Sequence, residues 1–272
     1  MRSWLNRPAS DTQITHGARL WLYAVGGLVM IFLVVPSLIV IPMSFSDSQY
    51  LAFPPRGWSL RWYANYLGSR DWMQATRVSF QVGLLTMAVA TPLGTLAAYG
   101  LHGSRVGMLR LVMVVLLTPI IMPLILVGIG VFYLYVQLGL LNTIPGIVMA
   151  HSMIAVPLVV LVVASGLKSY DMNQELAARS LGASRVRAFF TVTLPQIRFS
   201  VITAALLAFL TSFDEVIVAL FVSGGQNSTL TRSMFLALRD QIDPTIAAIS
   251  TLLIVFATVM LAFSLLLRKP GR

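Results

Sequence analysis

Cysteine is absent from the 272-residue chain. That excludes disulfides and thiolate–metal centres and leaves the redox compartment open. Charge is scarce as well: Asp, Glu, Lys and Arg make up 10% of the residues, against about a quarter in an average globular chain. Too little charge is available to solvate an ordinary soluble domain. Histidine stands only at His16, His102 and His151; no His-Glu-x-x-His pair and no Gly-x-Ser-x-Gly elbow occurs. No catalytic residue, resident metal or bound cofactor is assigned, and His151 reads as a packed or interfacial side chain. The Gly-x-x-x-x-Gly-Lys-Ser/Thr phosphate loop is also missing, so any ATP hydrolysis must take place on another polypeptide. Internal repeats, frequent in self-contained ion-coupled transporters, are not visible either.

What the chain does have is apolar residues, 57% of the total, gathered into six blocks at 21–43, 79–101, 109–137, 144–167, 199–222 and 246–267. A bilayer-crossing helix needs roughly 20 such residues. The reading is an all-α, polytopic membrane protein with about six transmembrane helices. The run at 21–43 exceeds a signal-peptide core and lacks a small-x-small cleavage site at its end, so it is read as a retained first helix. Pro119 and Pro123 predict a kink or tilt in the third block. Ala90, Gly94 and Ala98 in the second block carry the small-xxx-small spacing of closely packed helices.

Basic residues outnumber acidic ones, 19 to 9, for a net charge of +10. They fall mostly between the apolar blocks, where they orient helices and meet lipid headgroups, so membrane topology and not nucleic acid accounts for them. With the N-terminus inside, thirteen of the nineteen lie on the cytoplasmic side, which places both termini there. The organisation predicted is a cytoplasmic segment 1–20, a first helix 21–43, an external loop 44–78, a five-helix core 79–267 with a cytoplasmic segment 168–198, and a tail 268–272. The external loop holds Trp58, Trp62, Tyr63, Tyr66 and Trp72, which read as interfacial rings. Residues 223–245 return outside with a charge-balanced Arg232, Arg239, Asp240 and Asp243.

The cytoplasmic segment is the most informative stretch. Asp171 to Gly182 reads as a short helix, with Asp171 and Glu175 at its positive end and Gly182 where a left-handed residue ends it. Ser184 caps a second helix in which Val186, Phe189 and Phe190 recur at helical spacing. Leu194-Pro195 is read as closing the unit, because proline disfavours helical geometry in the preceding residue. A helix–glycine–helix elbow results, and Ala177, Ala178 and Gly182 would let a partner approach its backbone.

This segment resembles the cytoplasmic signature of binding-protein-dependent ABC importer permeases: Glu-Ala-Ala, three residues, Gly, nine residues, Ile, one residue, Leu-Pro. Ala177, Ala178, Gly182, Val192, Leu194 and Pro195 fall in register, whereas the glutamate position is Leu176 and Glu175 lies one residue earlier. The resemblance runs from about Trp58 to Leu267. Leu60 to Tyr63, Phe213 to Gly224 and Ile242 to Thr251 are similar to spermidine/putrescine-type permeases. It implies the type I ABC importer permease fold, in which two six-helix subunits enclose the path and the elbow inserts into an ATPase. It further implies an ATPase-coupling role for Glu175, Leu176, Ala177, Ala178, Gly182, Ala183, Val192, Leu194 and Pro195. The implied partners are a second homologous permease in a heterodimer, two ATPase subunits carrying ATP and Mg, and a periplasmic or lipid-anchored solute-binding protein, all at the bacterial inner membrane.

Asp214 and Glu215 interrupt the fifth apolar block. Charge within the bilayer costs about 2.5–3.5 kcal/mol per residue on insertion scales, so such residues usually face a cavity or a partner. Both are candidates for the substrate path, with Asp214 preferred, since neighbours on a helix diverge by about 100°. An acid there suits a polyamine. The alternatives are another organic solute such as an opine, an amino-acid derivative or a small organic acid, and a stand-alone ion-coupled transporter. Ile120 follows Thr118-Pro119 where polyamine permeases of this type often carry an acid.

Overall fold

The computed structural model describes Leu5 and residues 14–102, 108–240 and 242–267. Arg2, Arg7, Arg105, Arg268, Lys269 and Arg272, six of the thirteen basic residues assigned to the cytoplasmic side, lie outside the described residues, as do most of the 1–20 segment and the 268–272 tail. The described residues contain no strand beyond an isolated bridge between Ser46 and Trp58. The helices are α1 (Leu20–Ser44), α2 (Arg61–Gly68), α3 (Arg70–His102), α4 (Met108–Ile121), α5 (Leu124–Leu138), α6 (Ile144–Lys168), α7 (Asn173–Ser180), α8 (Arg185–Ala188), α9 (Leu194–Asp214), α10 (Ile217–Val222), α11 (Leu230–Asp240) and α12 (Thr245–Leu267).

All six apolar blocks are helical, but two are broken. Among the described residues four spans are long and apolar enough to cross a membrane; the pair α4–α5, bent by 101°, passes the same test when taken as one broken span. Pro123 causes that bend. Its own backbone is extended (φ −56°, ψ 122°), and a proline disfavours helix in the residue before it. Pro119, by contrast, stays inside α4. The fifth block stops at Asp214, where Glu215 turns extended (φ −71°, ψ 120°), and resumes as the short α10. Helix also fills part of the predicted external loop, since α2 and the first turns of α3 precede residue 79.

Two compact units are present, residues 66–242 with 255 onward, and residues up to 65 with 243–254. In the larger unit α3, α6 and α9 pack against one another. Their shared core holds Ala90, Ala98, Ala155, Val159, Val160, Val163, Leu167, Ala204 and Ala208. Lipid tails are as apolar as these side chains, so close packing, and not burial from water, holds such helices together. Gly94 makes the point. A Cβ there would stand 2.5 Å from Val159 Cγ1 and 3.2 Å from the Val156 carbonyl oxygen. The small-residue spacing read from the sequence is thus the α3–α6 contact. At the other end of these helices Val78, Val82, Val127, Tyr135, Ile147, Val148, Val218 and Val222 form a second cluster. It is tied by Tyr135 Oη donating to the Gly146 carbonyl at 3.0 Å and by the Asn142 N–H donating to the Val222 carbonyl at 2.9 Å. Four rings, Phe80, Phe209, Phe213 and Phe256, add edge and stacked contacts with centroids 5.0–6.0 Å apart.

In the smaller unit α1 is apolar on every side and buries none of its residues before Ser44, the surface a lipid-facing helix presents. Its last turn is tied down. Ser44 Oγ donates to the Ile41 carbonyl and lies 2.7 Å from Tyr63 Oη. The Asp47 and Ser59 N–H groups reach the Gly57 and Phe45 carbonyls, and Asn65 Nδ2 donates to Thr245 Oγ1 at 2.8 Å. Trp58 stays exposed and Trp62 is buried, as is Tyr66 of the larger unit, so the external aromatics are not one set of interfacial rings.

Candidate functional site

The 171–195 segment folds as the elbow read from the sequence. Asp171 Oδ1 accepts the Asn173 N–H at 3.0 Å and opens α7. After Ser180 the chain closes with two hydrogen bonds: the Gly182 N–H to the Arg179 carbonyl at 3.0 Å, and the Ala183 N–H to the Ala178 carbonyl at 3.1 Å. That pair is the Schellman closure, which needs a left-handed residue at its centre. Gly182 supplies it, with φ +94° and no atom near the position of a Cβ. Ser184 then caps α8 by accepting the Arg187 N–H at 3.3 Å.

The expected stop at Leu194-Pro195 is not a stop. Leu194 is helical (φ −59°, ψ −43°), and residues Arg185–Asp214 form one continuous 30-residue helix. A π turn over Phe189–Thr193 makes this possible. Proline lacks an N–H and its ring crowds the carbonyl four residues earlier; a turn one residue wider leaves both demands unmade. The elbow's second arm is therefore the same helix that carries Asp214.

The elbow has an outside and an inside. Leu181 at its tip is 90% exposed, and Leu176, Ala177, Gly182, Val186 and Phe190 are also exposed. Val192, Leu194, Ala178 and Ala183 are half-buried, and Pro195 is exposed on the arm. Glu175 points the other way. Only 2% exposed, it accepts hydrogen bonds from Tyr99 Oη on α3 at 2.6 Å and from Thr193 Oγ1 in the π turn at 2.5 Å. Arg185 Nε lies 3.5 Å from Tyr99 Oη, and the Tyr99 ring packs against Phe189 at 4.6 Å between centroids. The one-residue offset of the glutamate from the signature position thus turns it from the exposed face to the buried one. Phe189 is buried and Phe190 exposed, so the three apolar residues of the second arm do not share one face.

The two acids at the end of α9 also separate. Asp214 is exposed. Glu215 is buried, with its oxygens accepting the Val218 and Ala219 N–H groups at 3.0 Å each, the first turn of α10. Its own carbonyl accepts Thr231 Oγ1 at 3.0 Å. Beside it, His151 on α6 is 1% exposed; its Nδ1 lies 2.8 Å from Ser212 Oγ, which donates to Thr86 Oγ1 on α3 at 3.2 Å. His151 Nε2 is 3.9 Å from Glu215 Oε2. His151 is thus a packed core histidine, as read. The trio itself was not foreseen, because its members are 61 and 126 residues apart in the chain and no local pattern joins them. At the same end, beside the start of α3, a cleft of about 360 Å³ is lined by Asp71, Gln74, Gln226, Ser228, Arg232 and Asp240. Burial pulls the Arg232 guanidinium below its ordinary pKa. No group of three or more potential metal ligands occurs among the described residues.

A helical membrane subunit with an open elbow at one end of its spans, and no nucleotide-binding loop of its own, is the class these features define. Residues 90–269 match the family described as binding-protein-dependent transport system inner membrane component, and the chain belongs to that family. It is therefore a multi-pass inner-membrane permease subunit of an ABC importer. The chain is 32% identical over 238 residues to the putrescine transport system permease protein PotI of Escherichia coli K12, covering 82% of each chain. It is 27% identical over 238 residues to the spermidine/putrescine transport system permease protein PotC of the same strain, covering 88% of this chain and 90% of that one. A chain of the crystal structure of a bacterial ABC transporter involved in the import of the acidic polysaccharide alginate superposes with a TM-score of 0.64 at 15% identity. It covers 94% of this chain and 99% of that one, a likeness of fold.

Proposed function

We propose that the chain is one of two membrane subunits of an ATP-driven polyamine importer, and that an ATPase subunit grips the elbow. One observation carries the reading: the glycine turn presents Leu181 almost fully to solvent at the foot of a helix that runs unbroken to Asp214. On this reading Leu176, Ala177, Ala178, Gly182 and Ala183 meet the ATPase, while Val192, Leu194 and Pro195 belong to the arm that carries its movement upward. ATP and Mg sit on the two ATPase partners.

The excess of Lys and Arg supports a cytoplasmic elbow and cytoplasmic termini. Residues 79–267 then form the permease core, with 168–198 as its coupling segment, and the cleft at Asp71 and Arg232 faces the solute-binding protein. A second, related permease completes a heterodimer. The names of the relatives, together with a carboxylate left open at Asp214, support a polyamine as cargo. Glu215, occupied in capping α10, is not needed for this role. The test is reconstitution of the permease pair with its ATPase and binding protein. ATP hydrolysis should rise when putrescine- or spermidine-loaded binding protein is added. A binding protein with no polyamine affinity would sink the cargo, and a permease that retains no ATPase would sink the importer reading.

A further inference from the structure

The elbow is fastened to the membrane helices through one buried carboxylate. Glu175 belongs to α7, the first arm. Its two donors come from elsewhere, Tyr99 from the end of α3 and Thr193 from the π turn of the second arm. Arg185, at the start of that arm, stands over the Tyr99 ring at 5.4 Å. Three elements, α7, α3 and the second arm, therefore meet at a single side chain that is 2% exposed. A carboxylate is an acceptor with two oxygens, and both are in use on hydroxyl donors. Hydrogen bonds to charged groups are about twice as strong as neutral ones, and a low-dielectric setting raises the cost of leaving any member unpaired.

Resting on the importer reading above, we propose that Glu175 is a positioning residue that never touches the ATPase: with Tyr99 and Thr193 it locks the elbow to α3 and the second arm, so that displacement of the exposed tip moves the membrane helices. The node governs how much transport each ATP yields, and not whether the ATPase binds.

The experiment uses the complete importer in lipid nanodiscs and proteoliposomes, with T193V, Y99F, E175Q and the double variant Y99F/E175Q. Thr193→Val keeps the shape of the side chain and removes only the hydroxyl, which guards against variants that fail to fold. All variants should retain the ATPase like the parent. Polyamine taken up per ATP hydrolysed should fall about tenfold in E175Q and several-fold in T193V and Y99F, as loss of a buried charge-assisted hydrogen bond implies. Tyr99 and Glu175 share a bond, so Y99F/E175Q should fall little further than E175Q alone. Unchanged uptake per ATP in T193V and Y99F would overturn the proposal, as would loss of ATPase binding in E175Q alone, which would put the carboxylate at the ATPase surface. Failure of the parent chain to hold an ATPase would instead overturn the importer reading, and the node with it.

Discussion

Substituting Gly182 tests the elbow at its most constrained point. Its φ of +94° is open to glycine and hard for other residues, and no neighbour lies within 4 Å of a Cβ placed there. The cost of a side chain is therefore conformational and not steric. For an L-residue in the left-handed region it is about 1–2 kcal/mol. Asparagine tolerates that region better than alanine, and valine tolerates it worst. If the residue relaxes to a right-handed conformation instead, the two closing hydrogen bonds at Arg179 and Ala178 are lost and the exposed tip swings away. Either way the population of elbows ready to dock falls by about five- to thirtyfold, and apparent ATPase affinity falls with it. Reduced freedom of the unfolded chain offsets part of the alanine penalty on folding, but it has no bearing on docking, which compares two folded states. The assay is titration of purified ATPase onto nanodisc-embedded permease, with thermal stability measured in parallel. The affinity order should be Gly, Asn, Ala, Val. Alanine and valine variants that bind like the parent, or an order that ignores tolerance of positive φ, would refute the reasoning.

Other positions make independent predictions. Gly94→Ala should lower the thermal midpoint in detergent through overpacking of about 1–3 kcal/mol, and Val159→Ala, which vacates the site of the clash, should restore most of it; a G94A variant that melts like the parent would discount the α3–α6 packing. Asp214→Asn should leave thermal stability unchanged while reducing polyamine uptake several-fold. Glu215→Gln should do the reverse first, losing about 1–2 kcal/mol of stability because an amide replaces one of the two acceptors that cap α10. Thr143→Val removes the side chain that accepts the Gly146 N–H at the start of α6, and should cost about 1 kcal/mol in the same melting assay.

How far the sequence carried depends on how local each cause is. Close packing along α3 was legible because Ala90, Gly94 and Ala98 lie on one strip of one helix, but nothing in that spacing names α6 as the partner. Gly182 was legible because a left-handed helix end is a property of one residue and its immediate neighbours. A kink in the third block was legible from Pro119 and Pro123, and Pro123 is where the helix breaks, but the 101° size of the bend has no sequence signal. Leu194-Pro195 misled because pre-proline bias is a preference that Leu194 overrides by staying helical, while the π turn relieves the separate clash between the proline ring and the carbonyl four residues earlier. Glu175 could be placed on a short helix but not on its buried face: in an eight-residue helix with small and polar residues on most sides, only Tyr99 and Thr193, from distant stretches, determine which way it turns. Asp214 and Glu215 do point apart, but the reason is the helix end between them and not the 100° step of a continuing helix.

The unbroken arm changes what the elbow can do. A helix that ended at Leu194 would hinge there, and movement of the tip would be absorbed in a loop. Instead, thirty residues from Arg185 to Asp214 at about 1.5 Å each form a rod of about 45 Å. Under the proposed function its foot is in the ATPase and its head beside the cargo path. A tilt of about 10° around the middle of such a rod moves each end by about 4 Å, enough to shift a carboxylate into or out of contact with a cationic solute. The head is also where regular helix stops: Glu215 leaves the helical region and holds the short α10 by its N–H groups, so the rod ends against a separately capped element that need not follow it. Movement delivered from below therefore has a rigid path as far as Asp214 and a defined joint immediately beyond it, which is the arrangement a gate at that level requires.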